Sequence, residues 1–337
     1  MKNFVKRFIL MSAVILISIA TFNWYIDPMW CFDHKNQFNQ YQMAFNERQQ
    51  KINRMHFNAF DYNAIMLGSS RTAFINHNDI KTYHAYNMAV ERMHPSEFSD
   101  YLEHAKKVNK KDFDIVFLGL DFSSATHRIE EEQINEYISN VNAFAYRYKI
   151  LFSLDTLRYS IKNVSNFLFD KYKTRSRTFD RDFISHSYPQ SPQSVKNSVD
   201  EALFDYEYPY DENYKKTLQE LKDKNPNTRF YVFTTPLPSK YLRHLLSNPH
   251  NRQYYTRWLK ENVEVFHEIE HFMTLNSVTE DYAHTFNGAS HFYPSIGTHI
   301  VNKTFSYPDD TYKDFGIKLD EGNLQQELNT VFKSVKE

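Results

Sequence analysis

Two serines and a histidine set the chemistry this chain could perform. Ile65-Met66-Leu67-Gly68-Ser69-Ser70-Arg71 is an apolar run that breaks abruptly into a glycine and two hydroxyls, and Ser290-His291-Phe292 follows more than two hundred residues later. A serine hydroxyl is a poor nucleophile at neutral pH until a neighbouring imidazole takes its proton, so these residue types point to acyl chemistry if the fold brings them together. Plainer alternatives stand beside that reading: a serine that caps the next helix, and a histidine satisfied inside the structure. Arg71 could hold a substrate carboxylate or phosphate, or make an ordinary salt bridge.

The elements that must position these residues are legible as short apolar runs at 63–67, 85–90, 113–118 and 229–234, with a weaker one at 271–275. They read as buried parallel strands. Between the second and third, Pro95-Ser96-Glu97 opens a helical pattern in which Phe98, Leu102, Ala105 and Val108 recur every three or four residues up to Asn109, and the stretch 254–266 repeats the period. Strands alternating with helices predict an α/β fold, a three-layer α/β/α sandwich around a central parallel sheet. In such a sheet the residues just past the strand C-termini converge on one crevice. Ser69 and Ser70 follow the first strand, Asn87 and Ala89 end the second, Asp121 follows the third, and His291 follows the last.

Glycine is scarce, with six in 337 residues, and four of them (Gly68, Gly119, Gly288 and Gly297) sit beside these segments. Each is expected where a Cβ would obstruct the backbone.

The stretch from about 123 to 228 is too long for an ordinary strand-to-helix connection and reads as a helical insertion, with helix-like patterns at 129–140 and 145–169 and a polar excursion at 174–198. Insertions at strand C-terminal ends commonly shape a substrate cleft, and Tyr206, Tyr208 and Tyr210 could stack on a sugar there.

Residues 8–26 carry no charge over about the length that a helix needs to cross a bilayer core. Lys2, Lys6 and Arg7 precede the run, Asp27 and Asp33 follow it, and Trp24, Tyr25 and Trp30 stand where an aromatic belt belongs. The expected arrangement is an uncleaved single-pass anchor in a bacterial cytoplasmic membrane, with the N-terminus cytoplasmic and the main domain outside. A cleaved signal peptide is the competing reading, though no A-x-A-like site follows the run. The domain plan is then an anchor at 1–30, an extracytoplasmic domain at 55–320 and a C-terminal helix at 321–337.

Composition narrows the remaining classes. A formal net charge of -1 without long basic blocks lacks the footprint of a nucleic-acid binder. No G-x-G-x-x-G or Walker A sequence occurs. The single cysteine, Cys31, excludes an intrachain disulfide, leaving stability to a core rich in 29 Phe and 24 Tyr. His267-Glu268-Ile269-Glu270-His271 satisfies the H-E-x-x-H pattern of zinc hydrolases, but it runs into an expected strand, so no metal and no cofactor is assigned.

Taken in order, the anchor, LGSSR at 67–71, YNMAV at 86–90, FLGLDF at 117–122 and ASHFYPSIG at 289–297 resemble the SGNH (GDSL-like) hydrolase superfamily, whose sheet is flavodoxin-like. More closely, the chain is similar to membrane-anchored members of bacterial envelope polysaccharide and teichoic acid acylation systems. The resemblance covers roughly 60–125 and 225–305. It implies Ser70 as nucleophile with Ser69 as runner-up, His291 as base, and the Ser70 and Ala89 N–H groups in an oxyanion hole, with Asn87 and Arg71 in support. It further implies transfer or removal of an acyl group, acetyl foremost, on a cell-envelope polysaccharide, with a membrane-bound O-acyltransferase as partner. Two positions depart from the pattern: Gly288 stands where the acid three residues before the histidine belongs, and Asp121 stands where an asparagine donor is usual. Asp121 or Asp281 could orient His291 instead, or a Ser-His dyad could act alone. A non-catalytic partner that keeps the fold and binds glycan or an acyltransferase is the alternative.

Overall fold

Ala-Ile-Met-Leu is the sequence of a strand covered on both faces, and in the computed structural model all four residues of Ala64–Leu67 are buried in a sheet. The structure describes residues 1–43, 46–126, 134–174, 177–203 and 209–335. In chain order, the elements used below are α1 (Lys2–Ile26), β1 (Ala64–Leu67), α2 (Ser70–Ala73), β2 (Ala85–Asn87), α3 (Pro95–Asn109), β3 (Ile115–Leu120) and α4 (Leu154–Leu168). They continue with β4 (Arg229–Thr234), α5 (Pro249–Phe266), β5 (Glu268–His271), α6 (Pro294–Thr304), β6 (Ile317–Asp320) and α7 (Leu324–Ser334).

The described residues divide into two compact units. The larger comprises 61–132 and 184–337 and holds a six-stranded sheet in the order β2-β1-β3-β4-β5-β6. The first five strands pair in parallel, Met66 opposite Phe117 and Leu118 opposite Val232. The sixth runs antiparallel, with Ile269 opposite Leu319. The fold is therefore α/β with a mixed sheet, a correction to the all-parallel expectation. β6 went unread because Ile-Lys-Leu-Asp is a short edge strand with only Leu319 buried. The fifth strand also lies earlier than its apolar run suggested, ending at His271, because Phe272 and Met273 are buried in the connection beyond it.

Strand order reverses beside β1, with β2 on one side and β3 on the other, the position at which open α/β sheets place their ligands beyond the strand C-termini. On one face of the sheet, Met66, Phe117 and Phe233 pack with Ile296, Ile300 and Val301 of α6. α3 starts where the sequence placed it: Pro95 takes the first turn, and His94 and Glu97 form a reciprocal cap.

The smaller unit comprises 1–60 and 133–183. The stretch expected as one insertion thus splits, 133–183 folding with the N-terminal segment and the residues on either side of it with the sheet. Within this unit Tyr41 and Gln42 pair antiparallel with Asp180 and Phe179. The pattern at 145–169 is not one helix, because Ser153 caps the start of α4 with its side chain and breaks the run. Of the helix expected at 129–140, the described part is Ile134–Asn142. α1 is the described helix long and apolar enough to cross a membrane, and it is largely uncovered.

Candidate active site

β1 delivers the first hydroxyl. Gly68 leaves the strand at φ +148°, and a Cβ there would fall on the Thr72 side chain and within 2.8 Å of the Gly119 carbonyl, so the chain can turn this sharply only with glycine. Ser69 then caps α2, its Oγ accepting from the Arg71 N–H at 3.2 Å. The capping role foreseen for a serine here belongs to Ser69, and the half-buried Ser70 takes no part in it.

The partner arrives from the other end of the chain. Phe286 and Phe292 bridge as antiparallel neighbours, and the loop between them is closed by the Asn287 N–H donating to the His291 carbonyl at 2.6 Å. Gly288, at φ +96°, makes that turn, which explains why the position does not carry an acid. Phe286 is buried before the loop, and Phe292 is buried and Pro294 starts α6 after it, so the loop is fixed on both sides of the imidazole. The result is a Ser70 Oγ to His291 Nε2 distance of 2.9 Å across 221 residues, with the Phe74 ring 5.3 Å from the imidazole.

Arg71 braces the pair. Its Nε donates to the Ser290 carbonyl at 2.9 Å, holding the residue before His291, and its Nη1 lies 3.2 Å from Asp121 Oδ2. Asp121 Oδ1 accepts from Thr235 Oγ1 at 2.5 Å. One guanidinium thus ties the ends of β1 and β3 to the histidine loop, and the salt-bridge reading of Arg71 holds.

No protein-family model, curated protein or solved structure matches this chain. The site is therefore read from its own geometry.

The remaining candidates fall into place as follows. Asp121 sits beside the crevice but turns its oxygens to Arg71 and Thr235. Asp281 accepts from His284 Nδ1 at 2.6 Å on the exposed surface. The Ala89 N–H donates to Asn87 Oδ1 at 3.1 Å, while Asn87 Nδ2 donates to the Ile75 carbonyl, so these two residues stitch the end of β2 to the segment after α2. Tyr210 is a correction: it is buried, with its hydroxyl donating to Glu261 and its ring against Arg257, and it is no sugar platform. Tyr206 and Tyr208 lie outside the described residues.

The H-E-x-x-H residues do not share a helix face. His267 ends α5 in a left-handed conformation and His271 lies in β5. The Tyr255 hydroxyl donates to the Met273 carbonyl at 2.8 Å, so it accepts from His271 Nε2–H at 2.7 Å. Nδ1 then accepts from Thr234 Oγ1 at 2.7 Å. Both ring nitrogens are used structurally, and burial holds this histidine neutral, with its pKa down at about 3. Among the described residues, no group of three or more metal-ligating side chains gathers.

What sequence reasoning missed is the Thr235 contact and the Arg71 link to Ser290, which depend on β3, β4 and the histidine loop meeting at one point. Gln190 was missed too: its N–H donates to the Tyr293 hydroxyl at 2.8 Å, which brings the polar excursion of the insertion close to the residues after His291.

Proposed function

We propose that the larger unit is an SGNH-like serine acyl-transfer domain, acting on a cell-envelope polysaccharide and held at a bacterial cytoplasmic membrane by α1. The observation that carries the reading is the Ser70 to His291 contact of 2.9 Å at a strand-order reversal. Ser70 Oγ attacks the acyl carbonyl carbon while its proton passes to His291 Nε2. The tetrahedral intermediate collapses by breaking the bond to the donor's heteroatom, which leaves with that proton. A sugar hydroxyl, or water, then attacks the acyl-serine, gives its proton to His291 and regenerates Ser70. The partner that goes with this reading is a membrane-bound O-acyltransferase.

A fluorophosphonate probe tests this on the full chain in detergent. Labelling of the wild type, lost in both Ser70→Ala and His291→Ala, is the expected result. An unlabelled wild type that still supports envelope acylation, with Ser70→Ala equally competent, would instead establish the second reading, a non-catalytic partner. That second reading is favoured by Gly288 in the acid's place and by the engagement of Asp121 and Asp281 elsewhere.

A further inference from the structure

α4 is built inside out. Thr156, Ser160, Asn163 and Asn166 face inward, with Ser160 at 0 % and Asn163 at 2 % exposure, whereas Leu154, Ile161 and Leu168 stand at 66 %, 54 % and 64 %. The apolar positions 154, 157, 161, 164 and 168 recur every three or four residues and make one continuous stripe. A water-facing helix would carry the reverse pattern.

The polar face is turned inward because it meets α1. Ser160 Oγ donates to Asn23 Oδ1 at 2.8 Å, and Asn23 Nδ2 donates to the Leu151 carbonyl at 2.8 Å. Asn23 lies in the last turn of α1, beside the exposed rings of Trp24 and Tyr25, so the stripe sits at the end of the apolar helix. Exposed Phe144 and Phe152 precede α4 and Phe169 follows it. Lys149 lies 5.8 Å from the Phe144 ring and Lys171 5.3 Å from the Phe169 ring, pairing apolar bodies with charged heads. Around the stripe, Lys149, Arg158, Lys162 and Lys171 stand against Asp155, which pairs with Arg158, and Asp170, whereas Arg147 is spent on the Phe32 and Phe57 rings.

The geometry points to a second membrane contact: α4 lies in the headgroup layer of the bilayer that α1 spans, with its 154–168 stripe toward the acyl chains and its cations toward anionic headgroups. Lipid is the occupant because the exposed stripe belongs to a helix packed against the last turn of α1 and is flanked by cations. The inference rests on α1 being the anchor, and the test separates the two.

Cys31 is replaced by Ala in the full chain, and single cysteines at Leu154, Ile161 or Leu168, or at Ile15 within α1, carry an environment-sensitive fluorophore. The protein is reconstituted into phosphatidylethanolamine–phosphatidylglycerol vesicles containing brominated lipid. Quenching of the three α4 probes, stronger for bromine near the headgroups than deep in the chains, with the opposite order at Ile15→Cys, is the expected result. α4 probes quenched by aqueous iodide and not by bromolipid, with Ile15→Cys still quenched deep in the bilayer, would overturn the inference and leave the anchor standing. α4 probes shielded from both quenchers would overturn it in favour of a protein partner or a second copy. An unquenched Ile15→Cys would remove the anchor itself.

Discussion

Arg71 shows how a site is held by a residue that performs no chemistry. Its side chain is 13 % exposed and that of Asp121 6 %, so the pair is mostly out of water and deleting either member strands the other. Arg71→Ala is therefore expected to cost about 3 kcal/mol of unfolding free energy. Arg71→Lys tests positioning more finely, because one ammonium cannot both hold Ser290 and face Asp121 in the planar geometry that a guanidinium provides. A shift of the histidine loop by a fraction of an ångström would weaken the 2.9 Å Ser70 to His291 contact, so the rate of fluorophosphonate labelling is expected to fall about 10- to 100-fold with the melting temperature little changed. A lysine variant that labels at the wild-type rate would reduce Arg71 to a surface-type ion pair. The sequence made Ser70 and His291 legible through residue type and strand-end position. It could not reveal Arg71 as their brace, since the receiving atom is the Ser290 backbone carbonyl, which every residue possesses.

At the scale of elements, β5 places two titratable neighbours on opposite faces. Glu270 is buried with Oε2 unpaired, and burial pushes its pKa up to about 7 against the opposing pull of Lys318 and Lys303. From an ordinary value of 4.5, this means that the native state holds a proton the unfolded chain releases. The stabilisation is present at acid pH and is lost as pH rises through about 7. His271 has the opposite sign: its folded value is lowered, so its contribution is complete above the usual histidine range and is lost as pH falls below it. Glu270→Gln is expected to leave stability at pH 4 nearly unchanged and to raise it at pH 8 by about 2 kcal/mol, read from hydrogen exchange in β5 across a urea series. Equal effects at both pH values would contradict a titrating Glu270. Element recognition from sequence succeeded where a run was buried on both faces, as in β1 and β3, and where end signals were strong, as at Pro95 and Asn109. It displaced β5 and passed over β6, whose Glu-Ile-Glu-His and Ile-Lys-Leu-Asp sequences mix charge into short strands that are set by pairing, β5 with β4 and β6, and β6 with β5.

The whole molecule is interleaved, with 133–183 folding onto 1–60 and the sheet unit drawing on the chain on both sides of that insertion. Length and polarity marked an insertion from 123 to 228, but which half joins which unit is set by contacts between residues far apart in the chain. Asp27 and Arg181 are the clearest of these. α1 ends at Asp27 in a left-handed turn, and its buried carboxylate accepts from the Cys31 and Phe32 N–H groups and from Arg181 Nη2 at 2.7 Å. Arg181 also donates to the Phe32 and Asp27 carbonyls and lies against the Trp30 ring. The pair is 3 % and 2 % exposed, so the gain from forming it is offset by desolvation, but losing one partner is costly. Arg181→Met is therefore expected to destabilise the smaller unit by about 3–5 kcal/mol, seen as faster exchange of the Cys31 and Phe32 amides. Asp27→Asn combined with Arg181→Met should recover part of that loss, because no unpaired charge then remains buried. If the single variant loses less than about 1 kcal/mol, the junction after α1 is held by the surrounding amides, such as Asn23 to Leu151 and Gln42 to Pro28, and not by the ion pair.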